Sequence, residues 1–471
     1  MLKGVTGWQY RPYLPLDRAG EAQAPYICRL APFETGVEVE ALEPGASFHI
    51  REKDTRQPWR AVQMQGCTAV INALLPDTDY ELFAARTDTP DIRGRLRYAR
   101  TGFYPDRMVN YVHPEDGNYA FSGRYLCSPT LVRLPSGALI AGMDVFEGGG
   151  PQDLMLLLRS EDGGQTWRYL CDLFPAYWGA LFVHRGVLYN LCTHTENGHV
   201  LIGASYDEGS TWTAPVLLLP GGNGPRSVGF QRQPMPIIAH RGKLVTSIDY
   251  GAWSSPSRYG IATLSAPEDA DLLDPRSWTV SGITYYDRDW PGSPQGGSIT
   301  LLEGSVFEAG DGRLINLLRM EIHSASPSYG KACLLELDPD DLSAAPKFLR
   351  IIDMPTGSNC RTHVLRDPVG GKYWAIGNLV TNPAAPRMRS VMALSVSDDG
   401  YHWRVAKILL DYSHLSTDSP KTDKVGFQYT SFIFDGGDIL YLSRTSFNGA
   451  HSFHDANCQT FGTVKDFRQL G

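Results

Sequence analysis

The sequence predicts an all-β protein built from repeated sheets, on three observations. Glycine (48), proline (32) and the aromatics (10 Trp, 23 Tyr, 18 Phe) are abundant, which suits short strands and tight turns better than helices. A hairpin pattern centred on one glycine recurs six times. A second repeat, S-x-D-x-G-x-T-W, runs between the hairpins.

The hairpin glycines open Gly137-Ala-Leu-Ile-Ala, Gly186-Val-Leu-Tyr-Asn, Gly242-Lys-Leu-Val-Thr, Gly312-Arg-Leu-Ile-Asn, Gly371-Lys-Tyr-Trp-Ala and Gly437-Asp-Ile-Leu-Tyr. An apolar stretch precedes each one, for example Pro129 to Leu134 before Gly137 and Ser431 to Phe434 before Gly437. Each copy reads as two strands joined by a turn in which glycine enters φ > 0 freely. The glycines stand about 50 to 70 residues apart, room for a four-stranded sheet with its connections. Radial repetition of such sheets is a β-propeller, so six copies imply six blades over residues 118–471.

The second repeat appears as Ser160-Glu-Asp162-Gly-Gly164-Gln-Thr166-Trp167 and Ser205-Tyr-Asp207-Glu-Gly209-Ser-Thr211-Trp212. Ser397-Asp-Asp399-Gly400-Tyr-His-Trp403 is one residue shorter, and Ser265 to Trp278 is a degenerate copy. This is the Asp-box. Its Asp and Ser side chains bind nearby backbone N–H groups and its Trp packs between sheets, so its acids are turn formers and are excluded from the site.

A different unit precedes the propeller. Leu74-Leu75-Pro76-Asp77-Thr78-Asp79-Tyr80-Glu81-Leu82 resembles a fibronectin type III turn and strand, with Tyr80 suited to a tyrosine corner. The expected organisation is a 1–24 extension, a 25–105 β-sandwich bracing the propeller, a 106–117 linker and the 118–471 propeller.

Charge and cysteine exclude other classes. With 43 Lys+Arg against 51 Asp+Glu and no basic run, the chain is a poor partner for nucleic acid or an anionic membrane. No apolar run reaches the roughly 18 residues of a membrane helix, and the first residues lack a signal-peptide core. The expected setting is cytoplasmic, or extracellular if a leader was removed. Eight scattered cysteines without a C-x-x-C pair read as buried thiols, and no cofactor is signalled.

The repeats and four further segments resemble the sialidase superfamily over residues 118 to 464. Glu303-Gly304-Ser305-Val306-Phe307-Glu308, then Gly312-Arg313-Leu314 and Arg319, resembles its E-x-x-V-x-E…D-G-R-L…R stretch. Asn382-Pro383 with Arg389 before Ser397 resembles its N-P…R…S-x-D-x-G segment. Gly426-Phe427-Gln428-Tyr429-Thr430-Ser431 stands where the family keeps its nucleophile. The resemblance implies a retaining exo-glycosidase acting on a terminal, acidic, sialic-acid-like sugar of a glycan. Tyr429 would be the nucleophile, Glu303 its activating base, and Arg319 and Arg389 the clamp on the substrate carboxylate. A neutral phenol attacks beside that carboxylate with less repulsion than an anionic carboxylate would.

Two family positions depart from the pattern. Gly123-Arg124-Tyr125-Leu126-Cys127-Ser128-Pro129 places Cys127 in the slot of the first clamp arginine, and Arg124 serves only after a local register shift. The acid/base is assigned to Asp153, with Asp144 and Glu147 as alternatives. Arg232, within Gln231-Arg232-Gln233, is a candidate polar wall. His451, His454 and Asp455 form a cluster suited to a metal or a general acid, against the plainer reading of polar bonding at the propeller's closing junction. These departures leave two alternatives: a propeller glycosidase or polysaccharide lyase on a uronic or neutral sugar using His454 and Asp455, or a non-catalytic carbohydrate-binding propeller.

Overall fold

The computed structural model describes Trp8, Pro12, Tyr13 and residues 24–255, 259–357, 359–417, 419 and 422–471. The 1–24 extension therefore lies mostly outside the described residues. Among them, no helix is long and apolar enough to cross a membrane. The described residues are all-β, their helical content limited to short 3-10 turns.

Two sheets form first. Ile27–Phe33, Gly36–Ala41 and Thr68–Ile71 make one; Arg60–Gln63, Ala46–Glu52, Asp79–Arg86 and Arg97–Arg100 make the other. Their apolar faces share one core around Leu30, Val37, Phe48, Ile50, Ile71 and Leu82. The Tyr80 hydroxyl accepts a 2.9 Å hydrogen bond from the Leu75 N–H, closing the preceding loop. Met108, Tyr111 and Cys458 enter the same core, so this unit is packed onto the C-terminal sheets. Arg97, fully buried, ion-pairs with Asp116 at 2.5 Å, and Arg29 Nε donates to the Val109 carbonyl at 2.7 Å.

Among the described residues, six further sheets succeed these two along the chain, here numbered I to VI. Sheet I comprises Tyr125–Arg133, Leu139–Phe146, Leu154–Ser160 and Arg168–Leu173. Sheet II comprises Tyr177–His184, Val187–Thr193, Val200–Ser205 and Val216–Leu219. In sheet III the first strand is split into Gly229–Gln231 and Ile238–His240, both paired with Lys243–Gly251; Tyr259–Pro267 and Thr279–Val280 complete it. Sheet IV has Gln295–Glu308, Leu314–Ser326, Lys331–Leu337 and Lys347–Asp353, and sheet V has His363–Arg366, Tyr373–Asn378, Val391–Ser397 and Arg404–Asp411.

Sheet VI takes Gly426–Asp435, Asp438–Ser446 and Cys458–Val464 from the C-terminal end, then Arg107–Tyr111 as its outer strand. That strand lies inside the segment expected to be a linker. Its Met108 and Val109 are buried, and burial on the edge of sheet VI gives this segment a reason to be a strand. Sheet VI thus joins chain segments more than 300 residues apart, and it also packs on sheet I, where the Leu131 N–H donates to Ser431 Oγ at 3.1 Å. Similar bonds link sheets I and II (Leu181 N–H to Thr130 Oγ1, 3.1 Å) and IV and V (Val364 N–H to Ser305 Oγ, 3.3 Å). Repeated four-stranded sheets in this succession are consistent with a propeller.

All six glycine hairpins form. Gly137, Gly186, Gly242, Gly312 and Gly371 have φ between 75° and 93°; in the sixth, Gly436 takes the positive φ instead of Gly437. Nothing lies within 4 Å of a Cβ built at these positive-φ turns, so backbone conformation alone selects glycine there.

The strand meander also sorts the loops. First-to-second and third-to-fourth connections share one end of each sheet; second-to-third connections and crossovers to the next sheet share the other. The S-x-D-x-G turns occupy third-to-fourth connections. Asp162 accepts from Ser160 Oγ and the Thr166 N–H, both at 2.8 Å, and Trp167 Nε1 donates to the Gly164 carbonyl at 3.1 Å. Asp207 and Trp212 repeat this geometry. Seven of the eight thiols are buried, Cys67 being the exception.

Candidate active site

Six side chains occupy equivalent places at the crossover end. The residue seven positions after each predicted hairpin glycine lies on the second strand of its sheet: Asp144, Thr193, Asp249, Arg319, Asn378 and Arg444. All six are buried. Facing them, the first strands of sheets I, II, IV and VI carry the same bulge, two residues opposing one. Its first residue is left-handed in every case: Ser128 (φ 49°), Trp178 (53°), Glu303 (56°) and Tyr429 (52°). A non-glycine residue there costs about 1–2 kcal/mol, and a bulge re-aims its side chain.

Neighbouring sheets hold the bulges. Asp249 Oδ2 accepts from the Glu303 N–H at 3.0 Å, and Asp144 Oδ2 accepts from the Trp178 N–H at 2.9 Å. Arg361 Nη2 donates to the carbonyls of Tyr429 (2.7 Å) and Thr430 (2.8 Å). Burial pushes the Asp249 carboxyl up to about 8, with the nearby Glu303 adding to the rise.

The two re-aimed side chains meet one guanidinium. Arg319 Nη1 donates to Glu303 Oε2 and to Tyr429 Oη, both at 2.9 Å. Arg319 Nη2 binds Glu321, whose carboxylate also receives His323 Nε2 at 2.9 Å and Arg387 Nη2 at 3.4 Å. Against the burial that opposes ionisation, the Arg319 guanidinium holds the Glu321 carboxyl well below its usual range. Three more guanidinium groups face the Tyr429 ring, with Arg444 at 5.1 Å, Arg389 at 5.3 Å and Arg361 at 5.8 Å from its centroid. Burial raises the Tyr429 phenol above its ordinary value, and Arg319 and Arg389 oppose the rise. Four guanidinium groups surround one buried phenol, against the carboxylates of Glu303 and Glu321, so the cluster carries an excess of positive charge that favours an anion.

Glu303, Arg319, Arg389 and Tyr429, expected together, are together. Glu303 and Tyr429 share Arg319 and make no direct hydrogen bond with each other. Asp153 lies elsewhere, in the second-to-third connection of sheet I. Its N–H donates to Ser122 Oγ at 3.0 Å, its Oδ1 is buried without a partner, and burial pushes its carboxyl up to about 6. Of the alternatives, Asp144 is wholly buried beneath the bulges and Glu147 faces Arg124 at 3.6 Å.

Three expectations need correction. Cys127 pairs across from Asp144 with no register shift that brings Arg124 inward; Arg124 stays half-exposed beside Glu147. Arg232 is no wall of an open cleft. It is 1% exposed, donates to Thr246 Oγ1 at 3.1 Å, and burial lowers its guanidinium to about 9. The His451–His454–Asp455 cluster is no metal centre, and no metal-competent group of His, Cys, Asp and Glu occurs among the described residues. Asp455 receives His451 on one oxygen (2.8 Å) and His454 on the other (3.0 Å), while the Arg444 guanidinium packs on His454 and would repel a cation. Burial, with Arg444 adding to it, drops the His454 imidazole to about 3, so it stands neutral.

Sequence reading missed Arg444, Arg361, Glu321 and Asp249. The seven-residue offset from the hairpin glycine marks Asp249 and Arg444 as readily as Arg319. Arg444 supplies from sheet VI a guanidinium where sheet I, with Cys127, has none.

No protein-family model matches the chain, and no curated protein matches it in sequence. Solved structures do match in shape. The Hadza microbial sialidase Hz136 aligns over 94% of this chain and 91% of its own, with a TM-score of 0.50 at 16% identity. The Penicillium chrysogenum α-L-arabinanase aligns over 78% of this chain and 99% of its own, with a TM-score of 0.51 at 13% identity. The Fusarium graminearum α-L-arabinofuranosidase Arb93A aligns over 77% and 98%, with a TM-score of 0.51 at 14% identity. The fold is therefore a sialidase-like β-propeller. Identities this low carry the fold alone.

Proposed function

We propose that the protein is a retaining exo-glycosidase that releases a terminal anionic sugar from a glycan, working at the mouth of a six-bladed propeller (residues 118–471 with the strand Arg107–Tyr111) braced by a fibronectin-III-like sandwich (residues 25–105). The observation that carries this is Arg319 bridging Glu303 and Tyr429 within a ring of guanidinium groups. A carboxylate on the anomeric carbon would lie against Arg319, Arg389 and Arg444, and Tyr429 Oη would attack that carbon. The phenolic proton passes to Glu303 as the Tyr429–sugar bond forms and the glycosidic bond breaks. From the second-to-third connection of sheet I, at the same end of the sheets, Asp153 would give its proton to the leaving oxygen and then take one from the water that cleaves the tyrosyl adduct, while Glu303 returns its proton to the departing Tyr429 oxygen. A buried acid poised near 6 suits both halves of that cycle.

The comparison enzymes are, by name, a sialidase and enzymes of arabinose linkages, so both sugars belong in the test. The cationic cluster favours the acidic one. Purified protein should hydrolyse an activated sialoside faster than an activated arabinofuranoside, and Tyr429→Phe should lose at least 1,000-fold in kcat, about 4 kcal/mol of barrier. Unchanged sialoside hydrolysis by Tyr429→Phe removes this assignment.

A further inference from the structure

Arg319 stands at the inner end of a row of charges. Arg319, Glu321 and His323 alternate along the second strand of sheet IV, so their side chains share one face of it. The row runs outward: Arg319 and Glu321 are buried, while the side chain of His323 is 30% exposed. Arg387, from the second-to-third connection of sheet V, meets the row with its own side chain 45% exposed. Glu321 turns one oxygen each way. Its Oε2 binds Arg319 Nη2, while its Oε1 receives His323 Nε2 at 2.9 Å and Arg387 Nη2 at 3.4 Å.

The inward bond matters because of how a guanidinium offers its N–H groups. A carboxylate fits two parallel N–H groups, and a guanidinium has two such edges, Nη1 with Nη2 and Nε with Nη2. Both edges of Arg319 need Nη2, and Glu321 holds it. Nη1 is itself divided between Glu303 and Tyr429. Nε is buried with no partner among the described residues. A buried N–H without an acceptor is costly, and Glu321, engaging Arg319 through Nη2, leaves that cost in place. A carboxylate set against Nε and Nη2 together would remove it. Release of Glu321 is a short movement, since its Oε1 already lies with the two outer cations and the carboxylate stays paired throughout. A neutral ligand that displaced Glu321 would leave Arg319 short of a counter-charge, so the exchange suits an acid.

We infer that Glu321 holds the place of the ligand's carboxylate on Arg319, and that an acidic sugar binds by taking the Nε–Nη2 edge while Glu321 turns outward to Arg387 and His323. That the incoming acid is a sugar rests on the proposed function; the exchange of carboxylates on Arg319 does not.

The experiment has two arms. In the first, N-acetylneuraminic acid and glucuronic acid are titrated by calorimetry and saturation-transfer NMR against the unaltered protein, Glu321→Gln, Arg387→Met and the double variant, with thermal midpoints showing that each folds. Glu321→Gln, which has no charge to displace, should bind the acid about tenfold more tightly. Arg387→Met should weaken binding about tenfold where Glu321 is present and leave it unchanged in the Glu321→Gln background. A cation that merely attracts acids would weaken both backgrounds alike. That result, or a Glu321→Gln variant that binds no more tightly, overturns the exchange. In the second arm, Glu321→Ala and the unaltered protein are heated in sodium formate and in sodium chloride at equal ionic strength. Formate should raise the midpoint of Glu321→Ala above its value in chloride, by refilling the carboxylate's place on Arg319, and should not do so for the unaltered protein. Equal midpoints of Glu321→Ala in the two salts overturn the inference. If no acidic sugar binds any variant yet formate stabilises Glu321→Ala alone, the sugar reading of the proposed function fails and the carboxylate's place on Arg319 stands.

Discussion

The carboxyl of Asp249 holds the backbone of Glu303, accepting its N–H at 3.0 Å from the neighbouring sheet. Glu303 needs that hold because its φ of 56° is unfavourable for a side-chain-bearing residue. The bond fixes the bulge that turns Glu303 toward Arg319, so one buried acid on sheet III sets the aim of another on sheet IV.

Asp249→Ala should therefore leave a buried N–H unpaired at a cost of about 1–3 kcal/mol, and should lower kcat through a displaced Glu303. Asp249→Asn keeps an acceptor oxygen and should be milder in both respects. Urea unfolding and turnover of an activated substrate check the pair; equal effects from the two variants would show that the bond does not aim Glu303.

Arg319 is a structural as well as a chemical residue. Both Glu303 and Glu321 are buried against it, with side-chain exposures of 1% and 3%. Arg319→Ala strands two carboxylates and should destabilise the fold by about 3–5 kcal/mol. Adding Glu321→Gln should recover part of that loss, a coupling measurable by a double-mutant cycle. Loss of activity in Arg319→Ala alone thus says little about catalysis, and Tyr429→Phe is the cleaner probe.

If Asp153 is the acid, its protonated form is the active one for leaving-group departure. Its carboxyl is held up to about 6 by burial, so kcat/KM on a poor leaving group should fall as pH rises through about 6. Asp153→Asn should abolish that limb of the profile. A limb that survives the substitution assigns the proton to another group.

Buried acids away from the site should shape stability against pH. Asp172 accepts from the Tyr13 N–H at 3.1 Å and from Tyr169 Oη at 2.9 Å, yet burial raises it to about 7. Its folded value exceeds its unfolded value near 4, so the folded state binds more protons between them. Stability should then decline from about pH 4 to pH 7, by at most about 1.4 kcal/mol per pH unit from this group. Asp172→Asn should flatten that slope in thermal midpoints measured across pH 4 to 8.

The hairpins were legible because a left-handed turn leaves glycine as a local signature, as at Gly312. The S-x-D-x-G turns were legible for the same reason, since Asp162 binds only residues within four positions of itself. Glu303, Arg319 and Tyr429 could be named from motifs, but their shared geometry depends on bulges held by Asp249 and Arg361 from other sheets. Arg444 was missed because no motif of the kind that precedes Arg319 flanks it; only its place seven residues after its own hairpin glycine, equivalent to that of Arg319, marks it. The strand Arg107–Tyr111 was hidden because its partner, Cys458–Val464, lies at the other end of the chain.

The most direct test of the catalytic assignment is mass spectrometry of the protein after reaction with an activated, fluorinated sialosyl donor that slows hydrolysis of the adduct. The expected result is one sugar unit added to the peptide carrying Tyr429, with fragmentation placing it on the phenolic oxygen and no adduct in Tyr429→Phe. An adduct on Glu303 or on another carboxylate, or turnover of the donor with Tyr429 left unlabelled, contradicts it.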